Sequence, residues 1–137
     1  ALDLLSEGKK IQLLTLRRLH YLKTGMLLRA AVRIGAILAG ASQKELNALT
    51  RYAEHLGVAF QIQDDLLDVL GDTKVLGKKV GSDEKKHKST YPALCGIEKT
   101  RVLLDREITA AKKALDIFGR GTDVLLALVD YIKERNK

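Results

Sequence analysis

The chain has 137 residues, of which 46% are hydrophobic, one is proline and one is cysteine, and it carries a net charge of +7. That is the size of one domain, and it is too apolar to stay disordered. Cys95 alone cannot form an internal disulfide, and His20, His55 and His87 lie too far apart in sequence for zinc-ligand spacing.

Leu, Ala and Lys are abundant and no run of Val, Ile and Thr alternates with period two, so the expected fold is all-α. From Ile11 to Gly40 apolar residues recur at spacings of three and four, with Lys23-Thr24-Gly25 in the middle. A glycine inside a helix costs about 1 kcal/mol relative to alanine, so a kink or a close backbone approach is expected there. Ser42 and Glu45 form a capping box that opens a helix from about Gln43 to Leu70, closed by Gly71-Asp72. Residues 71–90 read as a loop rich in glycine and lysine, long enough to be functional. Helical pattern resumes near Ser89 or Pro92, runs to about Phe118, stops at Gly119-Arg120-Gly121 and restarts from Thr122-Asp123 through Arg135. Tyr52, Phe60 and Phe118 read as packing residues, His20 as a core or rim histidine, and Cys95 as a small buried hydrophobe.

No apolar stretch reaches the roughly 18 uncharged residues of a membrane span. The longest, Met26 to Ala41, is interrupted by Arg29 and Arg33, and Asp3 and Glu7 break any signal-peptide pattern. A reducing, cytoplasmic setting is therefore expected. The positive charge could draw nucleic acid, anionic lipid or a phosphorylated small molecule. Four tyrosines, two phenylalanines and no tryptophan make base stacking a poor basis for function.

The segment FQIQDDLLDVLGD, from Phe60 to Asp72, sets Asp64, Asp65 and Asp68 among large apolar residues. On a helix Asp64 and Asp68 stack about 6 Å apart along the axis, with Asp65 flanking them and Gln61 one turn below Asp64. Such clusters are most often solvated faces. Here, however, apolar residues hem the stripe on both sides, as at a cleft, and a basic loop follows within twenty residues. Magnesium takes one or two carboxylates together with substrate phosphates. Lys23, Lys78, Lys79, Lys85, Lys86 and Lys88 are the candidate phosphate contacts, with Thr24, Gly77 and Gly81 beside them. An exposed lysine-rich turn is the equally weighted alternative for the loop, and GKKVGSDEKKHK lacks the Walker pattern.

Four motifs occur in order: HYLKTG (His20 to Gly25), FQIQDDLLD (Phe60 to Asp68), LGKKVGSD (Leu76 to Asp83) and KSTYPAL (Lys88 to Leu94). Together with the ending YIKERNK they resemble the C-terminal half of the trans-isoprenyl diphosphate synthases, most closely the bacterial farnesyl diphosphate synthase type. The resemblance implies an all-α bundle around a deep cavity, with residues 1–137 forming the C-terminal half of one domain. It further implies magnesium-dependent condensation of isopentenyl diphosphate with an allylic diphosphate (dimethylallyl or geranyl) to farnesyl diphosphate or a similar short-chain product. Asp64, Asp65 and Asp68 would be the second aspartate-rich motif, Asp64 ligating magnesium directly and Asp68 more through water. Lys23, Lys78 and Lys88 would hold the allylic diphosphate, and Thr24 and Gln61 would lie beside the reacting carbon.

The first aspartate-rich motif and the isopentenyl-diphosphate residues expected upstream are absent from the sequence, so the chain alone is expected to be inactive. A partner chain or a missing N-terminal half would supply them, and the family resemblance suggests a homodimer. A non-catalytic regulatory or scaffold subunit of the same fold is the main alternative, against which the intact Asp64, Asp68, Lys78 and Lys88 speak. A basic helical nucleic-acid binder would require salt-sensitive DNA binding. Terpene cyclases share the ionising chemistry, but Lys-Thr-Gly with the downstream lysines favours chain elongation.

Overall fold

A computed structural model describes residues 13–74 and 90–136, and every regular element among them is helical. Helix α1 (Leu13–His20) passes through a π-turn (Tyr21–Gly25) into α2 (Met26–Leu38). The rod ends at Gly40, whose φ of 78° lets the chain reverse. The capping box forms as expected: Ser42 N–H donates to Glu45 Oε1 at 2.9 Å and Glu45 N–H donates to Ser42 Oγ at 3.2 Å.

Helix α3 then runs Gln43–Lys74, 32 residues, past the expected stop at Gly71-Asp72. Glycine ends a helix where its φ turns positive, and Gly71 is not among the glycines that do so. Conversely, the single helix expected from Ser89 or Pro92 to Phe118 is broken. Gly96, with φ of 82°, separates α4 (Tyr91–Cys95) from α5 (Ile97–Ala114), and a 3-10 turn covers Asp116–Phe118. Thr90 caps α4, its Oγ1 accepting from Ala93 N–H at 3.2 Å. Helix α6 (Asp123–Glu134) completes the described chain.

Helix α3 is the axis, packed against α1, the π-turn, α2, α4, α5 and α6. Its Tyr52, Leu56, Ile62 and Leu66 meet Leu16 of α1, Leu104 and Ile108 of α5, and Val129 and Ile132 of α6 in one core. Each such aliphatic side chain contributes about 1.5–3 kcal/mol of burial. Tyr52 adds a hydrogen bond from its hydroxyl to Leu125 O at 2.8 Å. Phe60 and Phe118 are partly buried against this core, so all three aromatic residues pack as expected. Cys95 differs from expectation. It is only half-buried, because it ends the short α4, where its Sγ lies 3.1 Å from Tyr91 O.

Helix α2 packs on α3 through buried Ala36 and half-buried Leu28 and Val32, and it carries a second apolar face outward. Its Arg29 and Arg33 reach inward, to Glu54 Oε1 at 3.1 Å and Thr50 Oγ1 at 2.8 Å. Leu27 and Leu38 face outward, 75% and 83% exposed, with Ile34 and Ile37 alongside. An uncharged apolar face of this kind marks a surface built to be covered.

Candidate active site

The π-turn carries Lys23, Thr24 and Gly25. Met26 N–H reaches back to Tyr21 O, five residues earlier, which widens the helix by one residue. Single π-turns inside α-helices concentrate at functional sites. Here the turn lies against the middle of α3, and Gln61 Nε2 donates to Thr24 Oγ1 at 2.9 Å across 37 residues of sequence. With its oxygen engaged by Gln61, the Thr24 hydroxyl keeps its own proton to donate, and Gln61 keeps its carbonyl oxygen as an acceptor.

One turn beyond Gln61 stand the acids, and they divide. Asp64 is 38% exposed, and one of its oxygens is held by Arg135 Nη2. Asp68 is exposed. Asp65 is turned inward, 9% exposed, and its Oδ2 accepts from Tyr91 N–H at 3.1 Å, tying the start of α4 to α3. Burial pushes the Asp65 carboxyl up to about 7, the Tyr91 N–H opposes that, and the charges of Asp68 and Asp64 add to it. The Lys23 ammonium of the π-turn also pulls it down.

Among the described residues no group of three or more His, Cys, Asp or Glu is placed to hold a metal ion. With Asp65 facing the core, Asp64 and Asp68 are the outward carboxylates of the stripe. Two hard carboxylates one helical turn apart fit one side of a magnesium site completed by phosphate oxygens and water. The acids do not line the cavity of about 840 Å³ beside α1, whose walls include Leu14, Arg17, Leu22, His55 and Val58. The basic loop expected beside the acids lies outside the described residues, and α4 reaches the stripe through the Tyr91 N–H on Asp65.

The structure thus brings Lys23, Thr24, Gln61, Asp64, Asp65 and Asp68 together, while Lys78 and Lys88 lie outside the described residues, as do Lys79, Lys85, Lys86, Gly77 and Gly81. Arg135 is the residue that sequence reading missed. It is 10% exposed, its guanidinium lies 4.3 Å from the centre of the Phe60 ring, and it donates to Phe60 O at 3.1 Å as well as to Asp64. Gln63 Nε2 holds the same end of the chain through Lys133 O at 3.0 Å and Arg135 O at 3.3 Å.

The described chain is thus an all-helical unit that sets a Lys-Thr-Gly π-turn against a helix carrying D-D-x-x-D. The chain belongs to the polyprenyl synthetase family, whose model matches residues 1–117. It is 50% identical over 141 residues to the farnesyl diphosphate synthase of Escherichia coli strain K12, covering 100% of this chain and 47% of that protein. It is 43% identical to the geranylgeranyl diphosphate synthase of Cyanophora paradoxa, covering 98% of this chain and 45% of that one. Among solved structures, an FPP/GFPP synthase from Zymomonas mobilis superposes with a TM-score of 0.80 at 33% identity, over 96% of this chain and 42% of that one. A decaprenyl diphosphate synthase from Rhodobacter capsulatus gives 0.82 at 27% identity, over 99% and 55%. The chain spans about half the length of the curated relatives it matches. No helix among the described residues is long and apolar enough to cross a membrane.

Proposed function

We propose that this chain is the C-terminal half of a short-chain prenyltransferase site, which condenses isopentenyl diphosphate with an allylic diphosphate to farnesyl diphosphate or a product of similar length. The observation that carries the reading is the Gln61–Thr24 hydrogen bond, which fixes the Lys-Thr-Gly turn one helical turn from Asp64. Lys23, joined by Lys78 and Lys88, binds the allylic diphosphate and stabilises charge growing on it as the allylic C–O bond ionises. Thr24 and Gln61 hold oriented dipoles beside the carbon that becomes cationic. Asp64 and Asp68 would hold magnesium, which when bound neutralises the diphosphate leaving group.

The outward apolar face of α2 supports the view that the site is completed by a second helical half carrying the other aspartate-rich motif. This chain alone is then inactive. A chimera tests the reading directly: this chain replaces the matching C-terminal segment of the Escherichia coli relative. The chimera should condense labelled isopentenyl diphosphate with geranyl diphosphate in magnesium. Asp64→Asn in the chimera should lower turnover by orders of magnitude with helicity unchanged, because it removes a metal ligand and no core contact. A chimera that folds and binds neither substrate would overturn the assignment.

A further inference from the structure

Gly57 lies one helical turn before Gln61 on the same side of α3. A Cβ built on it would stand 2.9 Å from the Cα of Gly25 and 3.6 Å from the Gly25 nitrogen. The nearest obstacle is therefore main chain of the π-turn, which has no rotamer with which to yield. Gly25 is itself buried, and a Cβ there would meet the Tyr21 ring at 3.0 Å. The rod α1–α2 thus crosses α3 glycine on glycine, and the crossing point is the residue next to Thr24.

We propose that Gly57 is a positioning residue of the prenyl-transfer site, which sets the depth at which the Lys-Thr-Gly turn seats on the aspartate helix and acts through the Thr24–Gln61 pair. The inference rests on the function proposed above. Restoring an ordinary carbon–carbon contact after Gly57→Ala displaces the turn by about 0.5 Å or more, which carries the 2.9 Å Gln61–Thr24 bond past the normal hydrogen-bond range. A misplacement approaching 1 Å in a site that works by orientation can cost on the order of 100-fold in rate. Gly35 is the control, a helical glycine of α2 with nothing within 4 Å of its added Cβ.

The first readout needs no turnover. In the 137-residue chain, nitrogen–proton NMR should show one Gln61 side-chain amide proton protected from exchange. That protection should survive Gly35→Ala and vanish in both Gly57→Ala and Thr24→Val. The second readout is kinetic, in the complete synthase assembled on this chain (the chimera above). Gly57→Ala should lower kcat and kcat/KM together by about 10- to 100-fold with little change in KM, since the pair acts on the developing cation. In a Thr24→Val background the same substitution should have almost no further effect on kcat, because both changes remove one interaction. Unaltered Gln61 protection, or kcat losses that simply multiply, would overturn the proposal. Should Gly57→Ala fail to fold, Gly25→Ala decides. It presses on the Tyr21 side chain at the same crossing, so kcat should fall by a smaller factor, again without multiplying with Thr24→Val, and an unchanged kcat would refute the idea. If the chimera is inactive with Gln61 protection behaving as expected, the functional reading fails while the packing role of Gly57 stands.

Discussion

Two buried carboxylates of this molecule are treated in opposite ways. Glu107, on α5, is 6% exposed and doubly paired: Arg17 Nη1 lies 2.6 Å from one oxygen and His55 Nδ1 2.7 Å from the other. Asp65, on α3, is 9% exposed and has a single backbone N–H, while its nearest charged neighbours on the helix are the like-charged Asp64 and Asp68. A buried charge stabilises a fold only when its partners offset desolvation. Glu107 meets that condition and pins α1 and α3 to α5. Asp65 does not, and the charges of Asp68 and Asp64 beside it add to the cost of ionising it. The scaffold is neutralised internally. The acidic stripe is only partly offset, by Arg135 on Asp64 and by the Tyr91 N–H on Asp65.

The sharpest way to break this comparison is at Glu107. Glu107→Ala leaves Arg17 and His55 without their acceptor and opens a gap between three helices. Because Arg17 is about half exposed, the expected loss is about 2–3 kcal/mol, below the full cost of a dry ion pair. Urea denaturation of the chain measures it, and a loss under about 0.5 kcal/mol would make Glu107 an ordinary surface acid. A smaller effect is expected at Arg135, which orients one oxygen of Asp64. Arg135→Gln should weaken manganese binding in the presence of inorganic pyrophosphate by up to about tenfold, read by electron paramagnetic resonance, with helicity retained. Unchanged affinity would mean that Arg135 only anchors the end of the chain on Phe60.

Most of this scaffold is legible in the sequence because its signals are local. Ser42 and Glu45 announce the start of α3, and the spacing of Asp64 and Asp68 announces a common face. Gly25 marks an irregularity, although nothing local says that it is a π-turn. The break at Gly96 escapes notice because apolar periodicity continues across it, and only its positive φ ends the helix. The contact of Arg135 with Asp64 spans 71 residues and that of His55 with Glu107 spans 52, so no window of sequence contains either pair. Asp65 could have been separated from its neighbours: Ile62 and Leu66, both buried, flank it on the inward stripe of α3.

The smallest expected effect concerns Asp65, and its sign is the informative part. Its carboxyl, near 3.8 when unfolded, is raised to about 7 in the fold by burial. Below pH 4 it is protonated in both states and contributes no penalty. As pH rises from about 4 to about 7, the unfolded chain ionises first, so the folded state loses stability, and above 7 the loss is complete. With a chelator present, the denaturation midpoint of the chain should therefore fall over this window by more than that of Asp65→Asn. At pH 8 the substitution should be neutral or stabilising by about 1 kcal/mol, because an amide keeps a carbonyl acceptor for Tyr91 N–H and sheds the buried charge. Glu107→Gln should show the opposite sign at the same pH, since it discards charge that Arg17 already offsets. If both amides destabilise alike, the two acids are equivalent parts of the scaffold and the contrast between them fails. If they diverge, the buried acid with fewer partners is the one on the aspartate stripe of α3.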